Sequence, residues 1–464
     1  MLLGIDVGTT GVRAAVFEPD GRLVADASVP CGYDSPRAGF AEADPRKWWD
    51  AVVAALARVP CANASAIAVV GQAPTAVLVD ASGEPTAPAI LWLDTRADAE
   101  AKELGTQAYY LGPKLLWLSR HAPDALSRAK WILQSHAYIA QKLTGEAATD
   151  PSTAALCIPL FDLASKRWVH DARIGVREDQ LPPIRASHEV IGTVTPPAAT
   201  ATGLRAGTPV VSGGGDFAAA TLGAGVIEEG EACLMLGTAG NLLVPLSRPG
   251  TDARMINSHH VGADVWLSLG GTLSGGAQEW LRASLGKPSF EDLDAEASRI
   301  PAGSEGLLFL PYLQGERTPI WDVNARGAYV GLSLQHGRGH LWRALLEGIA
   351  LSFADCASIL NAPLRSVLAA NGGGKSALFR QILCDALGVP LEYAPSASGT
   401  VAGAAVLAGL ASNQLPSAAS SRAFRGPLTR HTPSGASIYQ VLLSLRRESY
   451  AGLSPVFSGL ATRR

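Results

Sequence analysis

Two short stretches of the chain carry glycine and threonine in the same order. The first is Asp6-Val7-Gly8-Thr9-Thr10-Gly11 and the second is Gly237-Thr238-Ala239-Gly240. Glycines let backbone N–H groups converge on an anion, and threonine hydroxyls add donors. Asp6, at the end of an apolar run, is the kind of carboxylate that holds Mg2+ through water. That ion takes one or two carboxylates and completes its shell with phosphate oxygens. Taken singly, each stretch is also a plain hairpin turn. A pair of the same make suits a polyphosphate gripped from both sides.

A third stretch, Gly213-Gly214-Gly215-Asp216, precedes the helix-forming run FAAATLGAG. A carboxylate at a helix start is placed to take a proton from a substrate hydroxyl. Asp is also a favoured N-cap, worth about 1 kcal/mol, and the two roles are compatible. Asn371-Gly372-Gly373-Gly374-Lys375-Ser376 ends like a phosphate-binding loop. The full G-x-x-x-x-G-K-[ST] pattern, however, needs a glycine where Ala369 stands, inside a strand-like run. These glycines still allow close approach of a flat ligand such as adenine or its ribose. Gly315-Glu316-Arg317-Thr318-Pro319 follows an apolar strand and reads either as a rigid site loop or as an exposed, salt-bridged one. His259 and His260 are adjacent on a strand and point to opposite faces, so they read as structural. No G-x-S-x-G supports serine hydrolysis.

The elements that must hold these residues follow from hydrophobic periodicity. Strands are expected at 2–7, 12–18 and 22–29, with Asp20-Gly21 as a hairpin dipeptide. Pro45 opens a helix, strands follow at 66–71 and 88–93, and helices at 113–121 and 135–144. The pattern then restarts, with strands at 209–213, 231–236 and 241–245. It closes with a helix at 339–358, the strand-glycine-helix unit around 373, a small-residue helix at 400–411, a loop at 413–436 and a helix at 438–452. The fold class is α/β. The echo between the two glycine-threonine turns predicts two related domains, 1–228 and 229–464.

Composition narrows the class of function. The chain has 464 residues, 47% hydrophobic and 17% charged, enough for two or three domains with real cores. A net charge of −3 leaves no basic footprint for nucleic acid. Six cysteines without a C-x-x-C pair fit a reducing compartment. Asp6 interrupts the first apolar run too early for a signal peptide, and no run is long enough to span a membrane. A cytoplasmic enzyme or binding protein is expected, with no membrane partner.

Taken together, the motifs resemble the FGGY carbohydrate kinases. The resemblance rests on D-V-G-T-T-G-V-R at the start, G-G-G-D at 213–216, L-G-T-A-G at 236–240 and F-L-P-Y-L-Q-G-E-R-T-P at 309–319. It also rests on G-A-Y-V-G-L-S-L-Q-H-G-R-G-H-L-W-R-A-L-L-E-G at 327–348 and runs in order to about residue 412. Within the family, G-Q at 71–72, A-I-L-W-L-D-T-R-A at 89–97 and G-P-K-L-L-W at 112–117 are similar to the xylulokinases.

The resemblance implies two ribonuclease H-like domains of the actin and hexokinase type, flanking a deep cleft. It implies ATP and Mg2+ as cofactors and a small sugar or polyol as substrate, and leaves a homodimer open. By motif position, Asp216 is the catalytic base and Asp6 the metal residue. Gly8, Thr9, Thr10, Arg13, Gly237, Thr238, Gly373, Gly374 and Lys375 serve the nucleotide. Gln72, Ala73, Pro74, Asp94, Asp216 and Phe217 serve the sugar. The implied reaction converts D-xylulose to D-xylulose 5-phosphate. The alternatives are another ketose or polyol, of ribulose or erythritol type, or an actin-like ATPase without sugar chemistry. The departures lie on the sugar side and bear on the choice of xylulose, not on the kinase reading, which intact Asp216 and the paired turns favour: Ala73-Pro74 stands where xylulokinases have Met-His, and Phe217 where they have Asn. Lost polar contacts of that kind change discrimination by large factors. Arg13 replaces a common Lys, which keeps the charge and alters its geometry.

Overall fold

A computed structural model describes residues 1–250, 252–360, 362–370, 372–395, 399–435 and 437–461. The chain divides into two units. The first holds residues 1–227, 258–265 and 398–425, and the second holds 228–257, 266–397 and 426–464.

The first unit is built on β1 (Leu2–Val7), β2 (Gly11–Phe17), β3 (Leu23–Pro30), β4 (Ala66–Gly71), β5 (Val190–Thr193), β6 (Pro209–Val211) and β7 (Gly214–Gly215). The sheet order is β5-β6-β4-β1-β2-β3, with β7 paired to the end of β4. Position follows composition. β1 (LLGIDV) and β4 (AIAVVG) are apolar along nearly their whole length and lie buried at the centre. β3 alternates between half-buried and exposed residues and forms an edge. β1 pairs antiparallel with β2 and parallel with β4, which in turn runs parallel to β6 and β7. The helix Pro45–Leu56 starts as the sequence predicts: Pro45 sits in its first turn and Asp44 caps it by accepting from the Arg46 N–H. Its Trp48 and Val52 join Tyr138 of the helix Ser135–Thr144 in one core against the sheet.

Two expectations change. The strand expected at 88–93 shrinks to Ala89–Ile90, paired with Glu42–Ala43. The chain then turns, because Asp94 gathers the Ala41 N–H and the Arg96 guanidinium around itself. The small-residue helix, Gly399–Ala411, packs with the first unit although its sequence position lies in the second half. It has no polar face, so it must be covered on all sides. It lies between β1 and the helix Asp216–Gly223. A Cβ on Gly4 would sit 2.3 Å from the Val401 carbonyl oxygen, and one on Gly403 would sit 1.8 Å from that of Ala219.

The second unit repeats the plan. Its sheet contains β8 (Glu231–Leu236), β9 (Ala239–Leu246), β10 (Trp266–Leu273), β11 (Ser366–Ala370) and β12 (Leu391–Tyr393), in the order β10-β9-β8-β11-β12. As in the first unit, the leading strand makes an antiparallel hairpin with the next strand and runs parallel to a later one. The helices Arg338–Ile359 and Ala377–Leu387 cover this sheet. The last helix, Ile438–Ala461, is longer than its amphipathic pattern suggests. Arg446 and Arg447 both bond Asp355 of the helix Arg338–Ile359, at 2.8 Å each.

The contact at Gly403 is backbone against backbone, so no rotamer change relieves it. Gly403→Ala is expected to cost about 1–3 kcal/mol in denaturant titration. Gly452→Ala, where nothing lies within 4 Å, should be neutral or slightly stabilising. Equal stability of the two variants would refute the packing of the Gly399–Ala411 helix described above.

Candidate active site

In the first unit the site is the edge where the parallel strands end. β1 and β7 flank β4 at one level: Asp6 pairs with Val70, and so does Gly214. Strand spacing places the two outer backbones on the order of 10 Å apart. Asp216 follows β7 directly. It is not the N-cap, as the sequence suggested. Gly215 occupies that position, and Asp216 is the first residue of the helix Asp216–Gly223, its Oδ1 accepting the Phe217 N–H at 2.7 Å. Loss of solvation raises the Asp216 carboxyl to about 6. The Asp6 carboxyl is also held well above its ordinary range, by burial first and then by repulsion from Asp216, against a partial offset from Arg13. The two acids therefore share one desolvated edge.

Around them the sequence-predicted residues assemble. Gly8 closes the β1–β2 turn on Gly11 at 3.0 Å. The Thr9 hydroxyl donates to Gln72 Oε1 at 3.2 Å and accepts from the Trp92 indole N–H at 3.0 Å. Thr10 is exposed at the tip. Ala73, Pro74 and Phe217 are all buried at the ends of β4 and β7. The Phe217 ring lies over Gly215, within 2.6 Å of where a Cβ would be. Arg13 faces Asp6 across the hairpin and forks onto Asp26 at 2.7 Å. Asp94 accepts from Arg96 and the Ala41 N–H on both of its oxygens and ties loops together.

Gly213 of the G-G-G-D stretch and several residues that the sequence reading passed over support this edge. Gly213 takes φ +74°, and a Cβ there would sit 1.7 Å from the Val69 carbonyl oxygen, so only glycine lets β7 dock on β4. Ser152 Oγ accepts the Gly215 N–H at 3.0 Å. Asp150 caps the short helix after it and receives the Ser187 and Thr153 hydroxyls. His136, fully buried 3.7 Å from Asp150, is pushed down to about 4 by burial and is neutral at pH 7. Trp92 and Ser152 lie 83 and 63 residues from their partners, so no local pattern could have announced them.

In the second unit, Gly237 and Thr238 form the turn between β8 and β9. The turn is one residue shorter than its counterpart: Val7 pairs with Val12, but Leu236 pairs with Gly240. The N–H groups of Ser274 and Gly275 brace it at 3.1 and 2.9 Å. Gly373 packs on Leu236, the residue just before the turn, and Gly374 packs on the Tyr393 ring. The Gly372–Lys375 segment is a short 3-10 turn, and Ser376 caps the next helix by accepting the Phe379 N–H. That arrangement is not a P-loop. Asn371, which opens the motif, lies outside the described residues. Arg380 braces the turn from below, donating to the carbonyls of Gly374 and Lys375 at 2.7 and 2.9 Å and stacking on Tyr393. Lys375 is exposed.

The segment 315–319 is neither an exposed loop nor salt-bridged at Glu316. Glu316 is buried and raised to about 7, and it accepts the Thr272 hydroxyl at 2.6 Å and the Arg317 N–H at 2.9 Å. His260 is structural, as expected. Its Nδ1 accepts the N–H groups of Gly262 and Ala263, and its Nε2 donates to the Val226 carbonyl.

Asp6 fits a hard cation. Its Oδ1 is buried without a hydrogen-bond partner, and a cation there would relieve its repulsion from Asp216. Among the described residues no cluster of three His, Cys, Asp or Glu forms a closed metal cage. An ion held by one or two carboxylates plus substrate oxygens matches Mg2+ rather than zinc.

Comparison with known proteins follows the same two-part plan. Residues 1–223 match the N-terminal domain, and residues 232–412 the C-terminal domain, of the FGGY family of carbohydrate kinases. The chain is 33% identical to the xylulose kinase of Escherichia coli (strain K12) over 441 residues, covering 89% of this chain and 90% of that protein. It is 27% identical to the gluconokinase of Bacillus subtilis (strain 168), covering 99% and 95%. The crystal structure of xylulose kinase from Rhodospirillum rubrum superposes with a TM-score of 0.90 at 32% identity, covering 98% of this chain and 99% of that one. Two family models that together span most of the chain, on a fold with the same repeated sheet, make this protein a member of the FGGY family of carbohydrate kinases.

Proposed function

We propose that the chain transfers the γ-phosphoryl group of ATP to a terminal hydroxyl of a ketose or polyol, with D-xylulose as the first acceptor to test. The observation that carries this reading is the Asp216 carboxyl, raised to about 6 on an edge it shares with Asp6. A base of that strength is ionised at neutral pH and still attracts the proton of an attacking hydroxyl. The xylulose kinase relatives support the choice of acceptor.

In this mechanism Asp216 accepts the hydroxyl proton as that oxygen attacks phosphorus. The Gly8–Thr10 turn and the Gly237–Thr238 turn present N–H and hydroxyl donors to the phosphates. Gly373, Gly374 and Lys375 border the adenosine. Mg2+ held through Asp6 would neutralise charge on the phosphate oxygens. Phosphoryl transfer depends mostly on positioning and electrostatics, so rigid turns matter more than covalent chemistry. Ala73, Pro74 and Phe217 favour a second reading, in which the acceptor is a different ketose or polyol. All three side chains are buried and lack hydrogen-bonding groups, so in this reading they give the acceptor's hydroxyls no partner.

Asp216→Ala should abolish acceptor-dependent ADP release across a panel of ketoses and polyols, while ATP affinity stays within about threefold. ADP release that never depends on any acceptor would instead support an ATPase without sugar chemistry. Lys375→Ala should raise the KM for ATP modestly and leave kcat in place, whereas a P-loop lysine would be indispensable.

Wild-type turnover should fall as pH drops through about 6, because protonated Asp216 cannot act as a base. The same shift affects stability. Between the ordinary carboxyl value of 3.8 and about 6, the folded chain holds a proton that the unfolded chain has released. Stability therefore declines as pH rises through that window. Asp216→Asn should melt at a higher temperature than wild type near pH 7.5, with the gain vanishing near pH 4. An equal melting temperature at both pH values would show that the carboxylate is not desolvated.

A further inference from the structure

Lys114 is fully buried in the first turn of the helix Leu111–His121. Its ammonium donates to the carbonyl of Tyr109 at 2.8 Å and to that of Trp92 at 3.4 Å. Asp94, the neighbouring acid, is engaged by Arg96 and Ala41 rather than by Lys114. Burial pulls the lysine down to about 7. An ammonium buried without a carboxylate partner is expensive, and an apolar side chain of equal length would serve the fold better.

The side chains of the two residues it holds lead to the site. The Trp92 indole N–H bonds Thr9 Oγ1, whose hydroxyl bonds Gln72 Oε1, while Gln72 Nε2 reaches the Gly8 carbonyl at 3.5 Å. The Tyr109 hydroxyl donates to the Ala73 carbonyl at 3.4 Å. One ammonium thus anchors two aromatic residues, one touching the first glycine-threonine turn and the other the Gln72–Pro74 loop. We propose that Lys114 is a positioning residue that fixes the spacing between the phosphate-binding turn and the acceptor loop. The proposal rests on the kinase reading of those two loops.

The test is Lys114→Met, which keeps length and burial and removes both carbonyl bonds. A misplacement of about 1 Å costs on the order of a hundredfold, so kcat should fall by about 10- to 100-fold. KM for ATP and for the acceptor should stay within about threefold, and the melting temperature should hold or rise. A lysine with a purely structural role would give the reverse, a lower melting temperature with unchanged kcat per folded molecule, and would overturn the proposal. Trp92→Phe removes the indole bond to Thr9 and should reproduce the kcat loss, whether or not Lys114→Met folds. The double variant should be no slower than the slower single variant, and multiplied losses would overturn the shared path. The Trp92 indole N–H resonance, assigned by its absence in Trp92→Phe, should shift in Lys114→Met, and an unmoved resonance would also overturn it. That readout needs no turnover. A wild type without acceptor-dependent ADP release would count against the kinase reading alone, and the resonance would still decide the role of Lys114.

Discussion

Two carboxylates, Asp6 and Asp216, are held where burial strips away much of their solvation, and the first unit is organised around that conflict. β1 and β7 dock in parallel on either side of β4, which carries Asp6 and Asp216 to one edge. Burial raises both, and Asp216 raises Asp6 further. Nothing in β1 or in the helix Asp216–Gly223 needs these charges for packing, since their neighbours in both elements are almost all buried and apolar. The acids are a cost to the fold that the remaining core has to offset.

The scaffold meets that cost with a buried polar network placed behind the acids. Ser152 fixes the Gly215 N–H, Asp150 fixes Ser152, and His136 stays neutral beside Asp150. The backbone that carries Asp216 is therefore tied at each step.

Both units use the same device to stiffen a loop. In the first, Lys114 gathers the carbonyls of Trp92 and Tyr109. In the second, Arg380 gathers those of Gly374 and Lys375. A buried cation bonded to backbone carbonyls constrains the main chain, whereas a surface ion pair constrains only two side chains and is worth little. This difference suits segments whose backbone has to keep a fixed geometry.

What the sequence by itself determined was local. Strand and helix periods placed β1, β2, β4 and the start of the helix at Pro45 within a residue or two, because burial repeats with the period of the element. The glycine-threonine turns and Asp216 stood out in the sequence because phosphate and proton chemistry call for particular residue types at short spacing. Tertiary structure decided the rest. The uniformly apolar run at 399–411 shows no face, so its sequence could not say which sheet it covers. Motif position assigned Asp94 to the sugar, and only the fold shows Arg96 and the Ala41 N–H closing on its two oxygens. Ser152, Trp92 and Lys114 serve the site through hydrogen bonds to distant residues or to backbone carbonyls. A backbone carbonyl carries no residue identity, so only the folded path of the chain reveals what it holds.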